Sequence, residues 1–478
     1  MPHGATPWFS CRPQSRPSLG ARFAGGLALG LTLLTGCSTT TAPTPRASEV
    51  RVEPGTYLPD FDAAWELVRD TFHEETYNGV DWEGVRAELR PRAEAATTRD
   101  ASRDIINEMV GRLNQSHFGV IPQELQETGG DDPDPSGQVA SGSDAEDGGV
   151  GLELSVVGSQ AVITRVQPDG PAAQAGVRPG WVLTAVRGNE VAPLIGRFNE
   201  SIGDRTGRLY ARQTIATRLL GPVGSSIELG FLDGADREVT RTIERAPPEG
   251  QMIKFGNLPP MNVRIESRWL GPDETGDGSA RIGYIAFNSF MIPITPAFER
   301  AMVEFRDADG IILDLRGNLG GVAGMSASLS RFFVTERSRI GTILMRGQTL
   351  ELNADPIVVT ARGDLLGPYA GPLAVLIDES SASTSEFMAG GLRGLGRART
   401  FGTRTAGMAL PAAMSALPSG DVLLHAMADY VSSDGTRLES TGVPADVEIP
   451  VDRDGLLRGI DAPVRAAAEW IAGATPDA

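Results

Sequence analysis

Leu373-Ala374-Val375-Leu376-Ile377-Asp378-Glu379-Ser380-Ser381-Ala382-Ser383-Thr384-Ser385-Glu386 is five apolar residues in a row running into a serine-rich turn. An unbroken apolar run of this length reads as a strand buried on both faces, and the pattern from about Ser383 to Leu395 reads as the helix that follows it. The same arrangement occurs upstream, where the apolar run Gly310-Ile311-Ile312-Leu313-Asp314-Leu315 opens into Arg316-Gly317-Asn318-Leu319-Gly320-Gly321. Working outward, Arg281 to Phe287 reads as a further strand, Pro296 to Phe305 as a helix, and Arg453 to Ala472 as a closing helix. Strands alternating with helices define an α/β core with parallel or mixed strands.

Both turns invite chemistry. A serine where a buried strand becomes a helix places its hydroxyl beside the unpaired N–H groups of the helix start, which suit an oxyanion; simple helix capping is the competing explanation. The glycine pair Gly320-Gly321 allows backbone N–H groups to approach a ligand closely, against the alternative of a plain turn.

The rest of the chain narrows the choices. Its 478 residues, 41% hydrophobic, suffice for two to four domains. A net charge of −18 with 6% aromatic residues argues against nucleic acid as a partner. Lys254 is the single lysine, so a mechanism needing a catalytic lysine has one candidate. Cys11 and Cys37 both lie near the N-terminus, too few and too remote for a zinc site or a disulfide across a core, and no metal or cofactor is expected.

Residues 1–36 read as an export signal, with Arg12, Arg16 and Arg22 ahead of the apolar stretch Gly25 to Leu34 and no acidic residue. They end in Leu34-Thr35-Gly36-Cys37, which resembles a bacterial lipoprotein cleavage box, so a lipid on Cys37 is expected to anchor the protein to the cell envelope, facing the periplasm or the exterior. Residues 37–54 would be the tether, residues 55–127 a helical domain, and residues 128–147, rich in Gly, Asp, Pro and Ser, an acidic loop. Residues 148–250 alternate short apolar runs with Gly and Pro turns, as a small strand-rich domain does. Their phrases Val150-Gly151-Leu152-Glu153-Leu154 and Gly170-Pro171-Ala172-Ala173-Gln174-Ala175-Gly176-Val177 resemble a PDZ domain of the bacterial protease type. That resemblance implies that Gly151, Leu152, Glu153 and Leu154 receive a peptide C-terminus by strand addition, although Ala192 to Leu220 is longer than such a domain requires. Residues 251–478 complete the α/β core.

Taken together, Asp-Leu-Arg-Gly-Asn-x-Gly-Gly, Ser-Ala-Ser-x-Ser-Glu and Leu438-Glu439-Ser440-Thr441-Gly442-Val443-Pro444-Ala445-Asp446 resemble the S41 family of serine peptidases, the C-terminal processing, tail-specific and tricorn core proteases. The resemblance implies a ClpP/crotonase-like catalytic core, polypeptide substrates, and Ser383 as nucleophile. The processing branch of the family takes its base from a lysine in a Thr-Phe-Gly-Lys-Gly phrase. Here that phrase is Thr405-Ala406-Gly407-Met408-Ala409, and methionine cannot accept a proton. The tricorn-like branch uses a histidine in a Ser-His phrase, matched by Ser116-His117, and a glutamate beyond the nucleophile, matched by Glu439. His117 would then be the base and Glu439 would orient it, directly or through a bridging hydroxyl; Ser116 is either that hydroxyl or a turn former. The oxyanion hole would combine the amide of Thr384 with that of Gly320 or Gly321. His73 and His425 read as surface or capping residues. The expected function is that of a lipid-anchored extracytoplasmic serine endopeptidase; the alternative is a catalytically silent relative that binds peptides through its PDZ-like domain.

Overall fold

The computed structural model describes residues 51–125, 147–256, 260–276 and 280–474. The export signal, Cys37 and most of the acidic loop lie outside the described residues. None of the described helices is long and apolar enough to cross a membrane.

Three helices come first: α1 (Leu58–Thr71), α2 (Trp82–Ala95) and α3 (Arg99–Gly111). Asp81 caps α2 by accepting from the Gly84 amide, and Thr98 caps α3 by accepting from the Ala101 amide, so each start is fixed by a local side chain. Phe61, Trp65 and Val68 of α1 pack with Leu89 of α2 and Ile106 and Met109 of α3. The chain then forms a three-residue strand, β1 (Gly119–Ile121).

The middle segment is an antiparallel sheet of β2 (Leu152–Val157), β3 (Gln160–Val166), β4 (Val182–Val186), β5 (Ser226–Leu232) and β6 (Glu238–Glu244), in that spatial order, with β2 at one edge. The long insertion between β4 and β5 is two helices back to back, α4 (Ala192–Ile202) and α5 (Asp204–Leu219), separated only by Gly203 at φ 83°. A positive φ reverses the chain there without the steric cost that a Cβ would bring.

The core sheet contains β7 (Ile265–Trp269), β8 (Ile282–Phe287), β9 (Gly310–Asp314), β10 (Leu373–Ile377), β11 (Arg399–Gly402) and, at the far edge, the short strand Val447–Glu448, in that order. The β7–β8 pair is antiparallel and every later pair is parallel. Alternation along β9 and β10 sends Ile311, Leu313, Val375 and Ile377 to one face, under α6 (Thr295–Glu304). Ile312, Ala374 and Leu376 go to the other, under α8 (Ala462–Ala474), after α7 (Thr384–Gly394) has followed β10. Both faces are therefore covered, which is why these strands read as continuous apolar runs. The expected single closing helix is instead a short turn of helix, Arg453–Leu457, followed by α8.

The first helices are not an independent layer. A hairpin, Ala412–Ala416 with β12 (Val422–Ala426), leaves the core and pairs with β1, Gly119 opposite Leu424 and Ile121 opposite Val422. Leu417 and Leu423 of this hairpin complete the helical cluster. His425 corrects the surface reading: it is 1% exposed, with Nδ1 3.1 Å from Thr71 Oγ1 and Nε2 3.0 Å from Ser415 Oγ. A buried imidazole needs a partner at each nitrogen, and here those partners join α1 to the hairpin.

Candidate active site

β9 and β10 are parallel neighbours, with Asp314 beside Leu376, so the loops after them emerge at the same edge of the sheet. Side chains and backbone bind the two loops together. Asp378 Oδ1 accepts from the Gly317 and Ser380 amides, both at 2.9 Å. The Asn318 carbonyl accepts from the Ala382 amide at 3.0 Å and from Ser385 Oγ at 2.8 Å. Asp314 is held by Arg316 and by the Tyr284 hydroxyl, which donates to it at 2.7 Å; Asp461 braces the far side of Arg316. Burial works against the charge on Asp314, but Arg316 outweighs it and keeps the carboxyl below the ordinary range.

Ser383 sits at the start of α7 with φ 56° and ψ −120°, a strained conformation for a residue with a Cβ. Its hydroxyl makes no hydrogen bond among the described residues. Gly320 lies against it: a Cβ there would be 2.7 Å from the Ser383 Cβ and 2.9 Å from the Thr384 amide nitrogen, so only glycine permits this approach. The Gly320 amide itself donates to Asn318 Oδ1 at 2.9 Å, whereas the amides of Gly321 and Thr384 have no acceptor among the described residues. Two unpaired donors next to a strained serine can stabilise negative charge on a substrate oxygen.

Ser116, His117 and Glu439 are joined directly. Ser116 Oγ is 2.7 Å from His117 Nδ1 and 3.0 Å from Glu439 Oε2, and the Ser116 amide donates to Glu439 Oε1 at 2.9 Å. The Ala409 amide adds a third donor to Glu439, at 2.8 Å. Burial raises the Glu439 carboxyl above its ordinary value, opposed by these donors. An ionised Glu439 takes the single Ser116 hydroxyl proton, so Ser116 Oγ must accept from His117 Nδ1–H, which leaves Nε2 with its lone pair. Burial pushes the His117 imidazolium down to about 4, so the ring is neutral at neutral pH. His117 and Ser440, like Ser383, have positive φ, 60° and 61°.

A strap, residues 405–409, connects the two halves of the site. The Ser383 amide donates to the Met408 carbonyl at 2.9 Å, while Ala409, the next residue, reaches Glu439. Met408 packs against Leu209, Ala382 and Ala406, and Lys254 is exposed in the segment after Gln251–Ile253; no lysine lies in the site. Sequence reasoning missed Glu386, whose fully buried carboxylate accepts from four groups around Ser383 and the strap. The available signal was an acidic residue in the first turn of a helix otherwise read as buried.

Gly151, Leu152, Glu153 and Leu154 line a cavity of about 810 Å³ between the middle segment and the core, which Gly317 and Asp378 also line. The edge they form is partly engaged. Arg212 of α5 donates through Nε to the Leu154 carbonyl at 2.8 Å, and a Cβ on Gly317 would lie 2.6 Å from Arg212 Nη2. Glu153 pays its burial cost with Arg264 and Arg165 beside it, which hold its carboxyl below the ordinary range. The same helix places Arg205 on the Ser440 and Thr441 carbonyls, Arg208 on Glu379, and Leu209 against Ala382 and Ala406. No group of three or more potential metal ligands occurs among the described residues.

A buried parallel-strand edge bearing a strained serine, unpaired amides and a Ser–His–Glu chain describes a serine peptidase, and comparison with known proteins agrees. Residues 281–449 match peptidase family S41 and residues 56–111 match the tricorn protease C1 domain. A carboxyl-terminal-processing peptidase 3 of Arabidopsis thaliana, described as chloroplastic, is 27% identical over 418 residues, covering 85% of this chain and 70% of that protein. A carboxyl-terminal-processing protease of Synechocystis sp. is 25% identical over 446 residues, covering 91% and 90%. The solved structure of a photosystem II D1 C-terminal processing protease superimposes with a TM-score of 0.53 at 23% identity, covering 86% of this chain and 98% of that one, which supports the fold.

Proposed function

We propose that the protein is an endopeptidase in which Ser383 is the nucleophile, His117 the general base, and Ser116 and Glu439 fix the imidazole. The observation that carries this reading is the hydrogen-bonded series from Glu439 through Ser116 to His117 Nδ1, which leaves Nε2 as the proton acceptor. Ser383 Oγ attacks the scissile carbonyl carbon as its proton passes to Nε2. The oxyanion is met by the amides of Thr384 and Gly321; the Gly320 amide, bonded to Asn318, is not a donor. The tetrahedral intermediate collapses as the C–N bond breaks and Nε2 returns the proton to the leaving amine. Water then attacks the acyl-enzyme, giving a proton to Nε2, and the ester C–O bond breaks as Nε2 returns that proton to Ser383 Oγ, releasing the acid product and regenerating the serine. No hydrogen bond joins His117 Nε2 to Ser383 Oγ among the described residues; the mechanism requires that contact to form in the substrate complex, as catalytic hydrogen bonds often tighten only there.

The same proposal includes the middle segment as a PDZ-like domain that offers β2 to a polypeptide C-terminus, and lipid attachment at Cys37 to the envelope. The edge position of β2 on a cavity shared with the core supports the first; the apolar stretch ending in Leu34-Thr35-Gly36-Cys37 supports the second.

The deciding experiment labels the purified residues 38–478 with a fluorophosphonate probe and follows degradation of an unstructured protein in parallel. Labelling and proteolysis by wild type, both lost in Ser383→Ala and His117→Ala, are the expected results. Full activity in His117→Ala overturns the base. A folded wild type that binds C-terminal peptides without consuming them, and takes no label between mildly acid and mildly basic pH, overturns the enzyme reading in favour of a binding scaffold.

A further inference from the structure

We propose that Glu386 is a positioning residue that holds Ser383 and Glu439 in register by gripping the strap between them, an inference that rests on the Ser383–His117 mechanism above. Its Oε1 accepts from Thr405 Oγ1 at 2.6 Å and the Gly407 amide at 2.8 Å; its Oε2 accepts from the Met408 amide at 3.0 Å and the Ser383 amide at 3.1 Å. All four partners are donors. Only a carboxylate offers acceptors at both ends; glutamine would turn an NH₂ group toward one pair of N–H or O–H donors.

The grip reaches both catalytic elements. The Ser383 amide is shared between Glu386 Oε2 and the Met408 carbonyl, and this shared bond holds the serine in its strained conformation. On the other side, the Ala409 amide donates to Glu439 Oε2 and the Ser440 amide donates to the Gly407 carbonyl, at 2.8 Å each. Thr405 Oγ1 accepts from the Val443 amide at 2.7 Å, so its own proton is available only to Glu386. Movement of Glu386 would therefore shift the nucleophile and the acid behind the histidine together.

Burial pushes the Glu386 carboxyl up to about 7 against its four hydrogen bonds. The charged group that faces it is Arg205 from α5; Glu439 is tied to the other side of the strap through the Ala409 amide. Protonation would aim an O–H at a donor and loosen the grip, so turnover should decline as pH falls through this range while binding of the peptide does not.

The test compares Glu386→Gln, Thr405→Val and Thr405→Ser with wild type in full-chain protein, measuring kcat and KM on a peptide, fluorophosphonate labelling and thermal melting. For Glu386→Gln the expected result is a cooperative melt, KM within about 2-fold, kcat and labelling rate lower by roughly 10–100-fold, the range for losing a group that orients a reactive centre, and a pH profile without the wild-type decline near neutrality. Thr405→Val should lose turnover in the same way and Thr405→Ser should recover most of it, which decides the matter should Glu386→Gln not fold. The inference is overturned if kcat of Glu386→Gln stays within about 2-fold of wild type, if the wild-type decline near neutrality survives in it, or if Thr405→Ser is as impaired as Thr405→Val. Any of these with His117→Ala and Ser383→Ala inactive leaves the mechanism standing; an active His117→Ala instead brings down the mechanism itself.

Discussion

Ser116 has one proton to give, and its destination fixes which nitrogen of His117 can act as a base. Removing the hydroxyl separates His117 Nδ1 from Glu439, because the carboxylate touches the ring only through Ser116 Oγ. Ser116→Ala is expected to lower kcat by roughly 10–100-fold with little change in KM, as measured on a peptide substrate, since the tautomer is no longer imposed. The pH profile belongs to this scale as well. On the proposed mechanism the neutral imidazole is the active form, and burial pushes its pKa down to about 4, so His117 itself should impose no acid limb near ~6.5, and the wild-type decline near neutrality belongs to Glu386. In Glu386→Gln protein the acid limb of kcat/KM should therefore lie well below neutrality, toward the His117 value. Ser383, His117 and Glu439 could be proposed from the sequence because each sits in a short contiguous phrase. Glu386 was not, because its donors come from Ser383, Thr405, Gly407 and Met408, and their convergence is a product of the fold.

At the scale of elements, the histidine stands beside a strand of only three residues. β1 pairs only with β12 among the described residues, yet it begins two residues after His117. Its far end is held by Asp421, which accepts from the Gln123 amide at 2.9 Å and from Arg103 Nε and Nη2 at 2.8 Å each. Asp421 is 3% exposed, and Arg103 keeps its carboxyl below the ordinary range in spite of burial. Because the folded pKa is depressed, this clamp contributes stability above the unfolded carboxylate value near ~3.9 and loses it as pH falls through the folded value. Asp421→Ala removes two charge-assisted bonds from the buried Arg103, which keeps only the more exposed Glu124 and Asp100, and takes the acceptor from the Gln123 amide; it is expected to destabilise by about 1.5–3 kcal/mol at neutral pH in chemical denaturation, with a smaller loss near pH 3. The sequence read the strands of the core well, since burial on both faces writes itself as an unbroken apolar run. It could not read β1, whose three residues carry no periodicity, or its pairing with β12, some three hundred residues away.

Across the whole molecule, a segment whose length the sequence left unexplained reaches the core beside the site. The stretch Ala192 to Leu220 looked merely too long; it folds as α4 and α5, and one face of α5, three and four residues apart, carries Arg205, Arg208, Leu209 and Arg212 toward the core. A second attachment comes from the C-terminal region, where Arg453 donates to the Gly180 and Asp233 carbonyls. The arginine contacts are polar and partly exposed, so the apolar contact of α5 with the core rests on Leu209, 1% exposed against Ala382 and Ala406, while Ala211, Ile215 and Leu219 face the middle segment. Leu209→Ala removes that packing at a cost of about 2–4 kcal/mol, and the loss should fall on docking of the middle segment, because the core retains its own apolar cluster around α6, β9 and β10. Hydrogen exchange distinguishes the two: in Leu209→Ala the amides of α5 should exchange faster while those of β9 and β10 keep their protection. Equal loss in both would mean that the middle segment and the catalytic sheet unfold as one cooperative unit, and that α5 belongs to the architecture of the core.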